Sequence, residues 1–91
     1  MMYARVSNIP GNHVKQVLEL LENISDEGLQ EMKGVYVLVD EKKENLLTIT
    51  LWDSKEKVES SLPAAKTVFK EVEKITGHPV ESKHYEVAFK K

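Results

Sequence analysis

Trp52, the only tryptophan in the chain, closes a run from Leu46 in which Thr48 and Thr50 alternate with Leu47, Ile49 and Leu51. Just upstream, Tyr36 and Leu38 alternate with Val35, Val37 and Val39. Alternation of this kind places every second side chain on one face of a strand. Both segments are therefore apolar, or nearly so, on both faces. The expectation is that Tyr36, Leu38, Thr48, Thr50 and Trp52 share one face, where the indole could stack on a flat ring and the hydroxyls could orient it. The same patch could equally be packed core at a subunit interface, with no ligand.

Arg5 and Tyr3 project together from an earlier alternating run, Tyr3 to Ile9. A buried guanidinium beside an aromatic pocket can stabilise the oxyanion or enolate of a phenolic ligand. The plainer role is an ion pair with a carboxylate at a sheet edge or interface. His13, His78 and His84 are the available imidazoles. The first two belong to a helix start and a loop, where solvation is expected. His84 lies on a terminal strand out of register with Tyr85, Val87 and Phe89. Its face is left open, and with it a role in proton transfer. No two histidines have the i, i+4 spacing of ligands on one helix turn, and cysteine is absent, so no metal site and no cysteine nucleophile are expected. No complete catalytic motif assigns a catalytic residue.

The elements that would position these side chains read clearly. Pro10-Gly11-Asn12 ends the first strand, with Asn12 placed to cap a helix. Val14, Val17, Leu18, Leu21 and Ile24 then recur at helical spacing, up to Ser25-Asp26-Glu27-Gly28. Leu29 and Met32 are expected under an irregular turn. Strands from Gly34 to Val39 and from Leu46 to Trp52 form an antiparallel hairpin with a loop of five or six residues. Asp53 reads as the cap of a second helix, with Glu56 at the capping-box position. Its stripe of Val58, Leu62, Ala65, Phe69, Val72 and Ile75 is broken by Pro63 near Ser61–Leu62. Gly77-His78-Pro79 ends it, and Val80 to Phe89 makes a last strand. The order is β-α-β-β-α-β, an α+β, ferredoxin-like antiparallel sheet with two helices on one face. Two helices cover only one face, so the other is expected to stack on a second copy, enclosing a pocket between facing sheets.

Composition sets the outer bounds. At 91 residues the chain reads as one domain over 1–91, small enough for association to add useful core. The 13 basic and 15 acidic side chains give a net charge of −2, which argues against a nucleic-acid partner. Leu47 to Trp52 also lacks the basic and repeated aromatic residues of an RNA-binding sheet. No segment resembles a signal peptide or membrane span, so a cytoplasmic protein without a membrane partner is expected.

Four places resemble the antibiotic-biosynthesis-monooxygenase-like branch of the dimeric α/β barrel superfamily. They are Ile9-Pro10-Gly11, Lys33-Gly34-Val35, the run from Leu47 through Trp52-Asp53-Ser54-Lys55-Glu56, and Tyr85-Glu86-Val87. The resemblance implies a homodimer joined through its sheets and a small-molecule cavity in each protomer. The most concrete activity it implies is a cofactor-independent monooxygenase acting on a quinol-like aromatic. Haem-degrading members carry a histidine in the second helix; none lies between Asp53 and Thr76, so no cofactor is expected. Asn8 lies too close to the Pro-Gly turn to match their strand-one asparagine. An alternative comes from amino-acid-binding regulatory modules, whose ligand loop Asn8-Ile9-Pro10-Gly11 resembles. It implies a non-catalytic ligand sensor.

Overall fold

The computed structural model describes residues 2–11, 13–22, 31–42 and 44–90. In chain order the elements are β1 (Tyr3–Pro10), α1 (Val14–Glu22), β2 (Met32–Val39), β3 (Asn45–Trp52), α2 (Lys55–Ser60), α3 (Leu62–Thr76) and β4 (Glu81–Glu86). The expected cap at Asn12 and the segment Ile24 to Leu29 lie outside the described residues. All strand pairs are antiparallel, in the order β2-β3-β1-β4.

Local chemistry explains the boundaries. Ser54, rather than Asp53, caps α2: its extended backbone lets Oγ accept from the Lys57 amide at 3.2 Å. Asp53 instead pairs with Lys33 and Lys57 across the surface. The helical stripe breaks where Pro63 demands it. One helix ends at Ser60, and the next begins with the proline in its first turn, where a missing N–H costs nothing. Gly77 closes α3 with φ of 76°, a left-handed cap that a glycine takes without strain. Met32 does not sit under a turn. It opens β2 opposite Trp52, with a bulge between Met32 and Gly34.

Hairpin register decides what faces what. Val39 pairs with Leu46, Tyr36 with Ile49 and Leu38 with Leu47. The loop is closed by the Glu44 amide donating to Asp40 Oδ1 at 2.7 Å. Odd positions on β2 therefore share a face with even positions on β3. Four rows result on the helix side, each running across β2, β3 and β1: Val39-Leu46-Ile9, Val37-Thr48-Ser7, Val35-Thr50-Arg5 and Met32-Trp52-Tyr3. The outer side carries Leu38, Leu47, Asn8, Tyr36, Ile49, Val6, Leu51 and Ala4.

Both long helices pack on the first of these faces. Ile9 and Leu46 join Val17 of α1 and Val72 of α3 in the buried core, with Val37, Val68 and Ile75 around it. This core occupies one end of the helix-side face. Trp52, 1% exposed, anchors the other end. Among the described residues, no helix is long and apolar enough to cross a membrane.

Candidate functional site

Between these two apolar ends the helix-side face turns polar. Arg5 and Ser7 of β1 and Thr48 and Thr50 of β3 form the floor of a cavity of about 270 Å³. Ala65, Val68 and Phe69 of α3 roof it, and Met32 and Val35 wall it from β2. Leu21 and Glu22 at the end of α1 complete it. A volume of this order suits a small organic molecule more than a drug-sized one.

Arg5 organises the site. It is 3% exposed. Its Nη2 donates to the Val58 carbonyl and to Ser61 Oγ, each at 2.7 Å. Ser61 in turn donates to the same Val58 carbonyl at 2.7 Å. Here the break imposed by Pro63 acquires a role, because the α2–α3 junction presents the carbonyl and hydroxyl that hold the guanidinium. Arg5 Nε donates to His84 Nε2 at 3.2 Å, and the guanidinium carbon lies 5.7 Å from the centre of the Trp52 ring, within cation–π range. The indole is fixed by its own bond from Nε1 to Thr50 Oγ1 at 3.0 Å.

These contacts are neutral. The ion pairs found among the described residues use Lys33, Lys57 and Lys74, not Arg5. Burial lowers the pKa of Arg5 from its ordinary value, yet a guanidinium stays protonated at any physiological pH. The His84 pKa is also lowered, first by burial and then by the Arg5 charge, with Glu59 opposing. A neutral imidazole is what the geometry requires, since Nε2 must keep its lone pair to accept from Arg5. His84 therefore orients the arginine, and its Nε2 is not a free base while that bond stands.

Of the expected site residues, Arg5, Thr48 and Thr50 meet at this cavity. Trp52, Tyr3 and His84 stand beside or behind Arg5 on the same face. Tyr36 and Leu38 do not join them. The register turns both to the outer face, where they are 59% and 47% exposed. The shared patch of Tyr36, Leu38, Thr48, Thr50 and Trp52 is thus corrected: the cavity that Arg5, Thr48 and Thr50 line lies between sheet and helices of this chain, on the opposite face from Tyr36 and Leu38. His13 is half-buried rather than solvated; its carbonyl accepts the Val17 amide, and its Nδ1 has no partner among the described residues. Sequence reasoning missed Ser7, Val68 and Phe69 as cavity residues. Ser7 shares the alternation of Arg5 and could have been found by it; the α3 residues look like ordinary core in a helical stripe. No three His, Asp or Glu side chains among the described residues converge as metal ligands would.

No protein-family model matches the sequence, and no protein of curated function matches it. Solved structures do match over the whole chain. A monooxygenase of Streptomyces coelicolor, solved in complex with the ligand nanaomycin D, superposes with a TM-score of 0.80 at 10% identity, covering 98% of this chain and 89% of that one. SnoaB, a cofactor-independent oxygenase of Streptomyces nogalater, gives 0.78 at 7% identity, covering 98% and 95%. A protein of unknown function from Nitrosomonas europaea gives 0.76 at 8% identity, covering 99% and 92%. Identity this low carries the fold alone: the chain has the βαββαβ architecture of the antibiotic-biosynthesis-monooxygenase structures. Structures with this architecture include monooxygenases and proteins of unknown function, so activity must be argued from the site.

Proposed function

We infer that this chain is a cytoplasmic, single-domain protein over residues 1–91 that works as a homodimer through its outer sheet faces. Each protomer binds one small, flat organic molecule in the cavity between sheet and helices. In its most concrete form the protein is a cofactor-independent monooxygenase acting on a quinol- or anthrone-like aromatic. Membranes and nucleic acids are not partners in this reading.

One observation carries it: a buried guanidinium on the cavity floor, braced by Trp52, Ser61, the Val58 carbonyl and His84. Burying a cation is costly without compensation, and a packed core would be served better by methionine or leucine. A site that must stabilise negative charge on a guest accounts for the expense. In the oxygenase form, an activated ring CH₂, acidified by the guanidinium, loses a proton to water. The carbanion that results spreads its charge onto the neighbouring oxygen beside Arg5, and a proton is taken back from water by the peroxide that forms next. Dioxygen adds at that carbon, the O–O bond breaks, and the products are a ring carbonyl and water. The substrate supplies all the electrons, so no cofactor enters.

A second reading, a non-catalytic ligand-binding or regulatory module, is favoured by a different observation. His84 Nε2 is already occupied by Arg5, and Glu22 is the only carboxylate on the cavity wall among the described residues. Oxygen uptake with a panel of anthrones and naphthoquinols separates the two. The oxygenase reading expects oxygen consumption in step with ketone formation, well above buffer, and loss of both in Arg5→Met. Tight binding with turnover no faster than buffer leaves the module.

A further inference from the structure

We propose that the cavity takes up its ligand as a preformed organic oxyanion, a carboxylate or an acidic phenolate, with the anionic group seated on Arg5 and the ring between Val35, Val68 and Phe69. This rests on the reading of the cavity as a small-molecule site and adds the charge state in which the molecule arrives.

Three features converge on an anion. The first is the bonding of the guanidinium. Its five N–H donors are only partly used: Nε serves His84 and Nη2 serves Val58 and Ser61, while Nη1 donates to none of the described residues. An arginine on a cavity wall with donors in hand matches the two oxygens of a carboxylate, or a phenolate oxygen with a neighbouring carbonyl. The second is the charge of the wall. Its cation is 3% exposed and its one carboxylate among the described residues, Glu22, is exposed. The excess positive charge therefore sits deep and the negative charge outside. The third is that, among the described residues, no free base stands next to Arg5. A neutral acid would have to shed its proton inside the cavity, but the adjacent His84 already uses its acceptor nitrogen on Arg5. A ligand ionised in solution needs no such step. The hydroxyls of Ser7, Thr48 and Thr50 beside Arg5 can donate to further oxygens on the ring.

The test compares isosteric pairs on the full-length protein by isothermal titration near neutral pH. One pair is naphthoate with naphthamide. The other is nitrophenol, in mildly alkaline buffer where it is mostly ionised, with nitroanisole. The anion of at least one pair should bind on the order of tenfold to a hundredfold more tightly than its neutral partner, as expected for a hydrogen bond to a charged group. Which pair shows the preference distinguishes a carboxylate site from a phenolate site. In Arg5→Gln the preference should collapse towards unity while the neutral partner keeps its affinity. The wild-type comparison stands even if that variant fails to fold. Neutral partners binding as tightly as both anions would overturn the oxyanion proposal and leave the cavity reading intact; no binding by any of the four probes would overturn both.

Discussion

Tyr36→Glu tests the association of the outer faces more sharply than any truncation, because the side chain lies on the sheet away from both helices. A tyrosine carries about 150–250 Å² of surface that burial can remove from water. At 59% exposure, about 90–150 Å² of it remains for a partner to cover, worth about 2–4 kcal/mol at about 25 cal/mol/Å². A two-fold dimer contains the residue twice, so the loss is about 4–7 kcal/mol before the cost of desolvating two carboxylates. Area overstates affinity between proteins, so the lower end is the sounder expectation: a dissociation constant raised about a thousandfold. Sedimentation velocity across a wide concentration range reads this directly. Wild type should sediment as a dimer at micromolar concentration and the variant as a folded monomer with an unchanged circular dichroism spectrum. A wild-type chain that stays monomeric at millimolar concentration, or a variant that dimerises as well as wild type, would refute the reasoning.

Three further outcomes are expected. Trp52→Ala should cost about 3–5 kcal/mol in urea unfolding, as for other buried aromatics, because the indole is 1% exposed and props Arg5; a loss below about 1 kcal/mol would mean that the anchor is not one. Arg5→Met should leave the ligand-free protein unchanged in stability or stabilise it by up to about 2 kcal/mol, since it removes a buried charge while the Val58 carbonyl keeps its bond from Ser61. A large destabilisation would show that the arginine serves the fold instead. The third concerns pH. The folded state holds the His84 pKa below the ordinary 6.5, so the fold favours the neutral imidazole. That contribution is complete above pH 6.5 and is lost as pH falls through the lower folded value. Wild type should therefore lose stability in mild acid relative to His84→Gln, measured by thermal unfolding at a series of pH values; parallel curves would refute the Arg5–His84 bond.

What the sequence made legible was periodicity, and what it obscured was parity. Period-two and helical repeats placed every strand and helix, and Pro63 located the break between α2 and α3 to within a residue. The failure was narrow. A hairpin loop of five residues pairs even positions with even; a loop of six pairs even with odd. With Val39 opposite Leu46, the even side chains of β2 and β3 part company, and Tyr36 and Leu38 leave the face of Trp52. Because both strands are apolar on both sides, hydrophobic pattern offers no penalty against the wrong register. Arg5 was legible as a residue that must matter, but its partners were not. Val58, Ser61 and His84 lie 53 to 79 positions away in sequence, and their meeting depends on where α2 ends and how β4 pairs.

The two faces of the sheet depart from the usual arrangement, and that departure ties the proposed dimer to the cavity. In a monomeric two-layer protein the helix side carries the apolar residues and the outer side the polar ones. Here the centre of the helix side is Arg5, Ser7, Thr48 and Thr50, while the outer side of β2, β3 and β1 carries Val6, Leu47, Ile49, Leu51, Tyr36 and Leu38, with Asn8 at one end and Glu81 and Lys83 of β4 at the far edge. Neither face makes sense alone. A polar chamber beneath the helices removes apolar burial from a chain already small, and an apolar outer sheet would draw copies together without order. In the proposed dimer they balance: the outer face would supply by association the burial that the chamber gives up. Since β1 and β3 contribute alternate residues to both surfaces, a substitution that slipped the register by one would expose the arginine and bury the interface at once. The cavity and the contact surface are therefore two readings of the same pair of strands, and loss of the dimer should loosen the floor on which Arg5 stands.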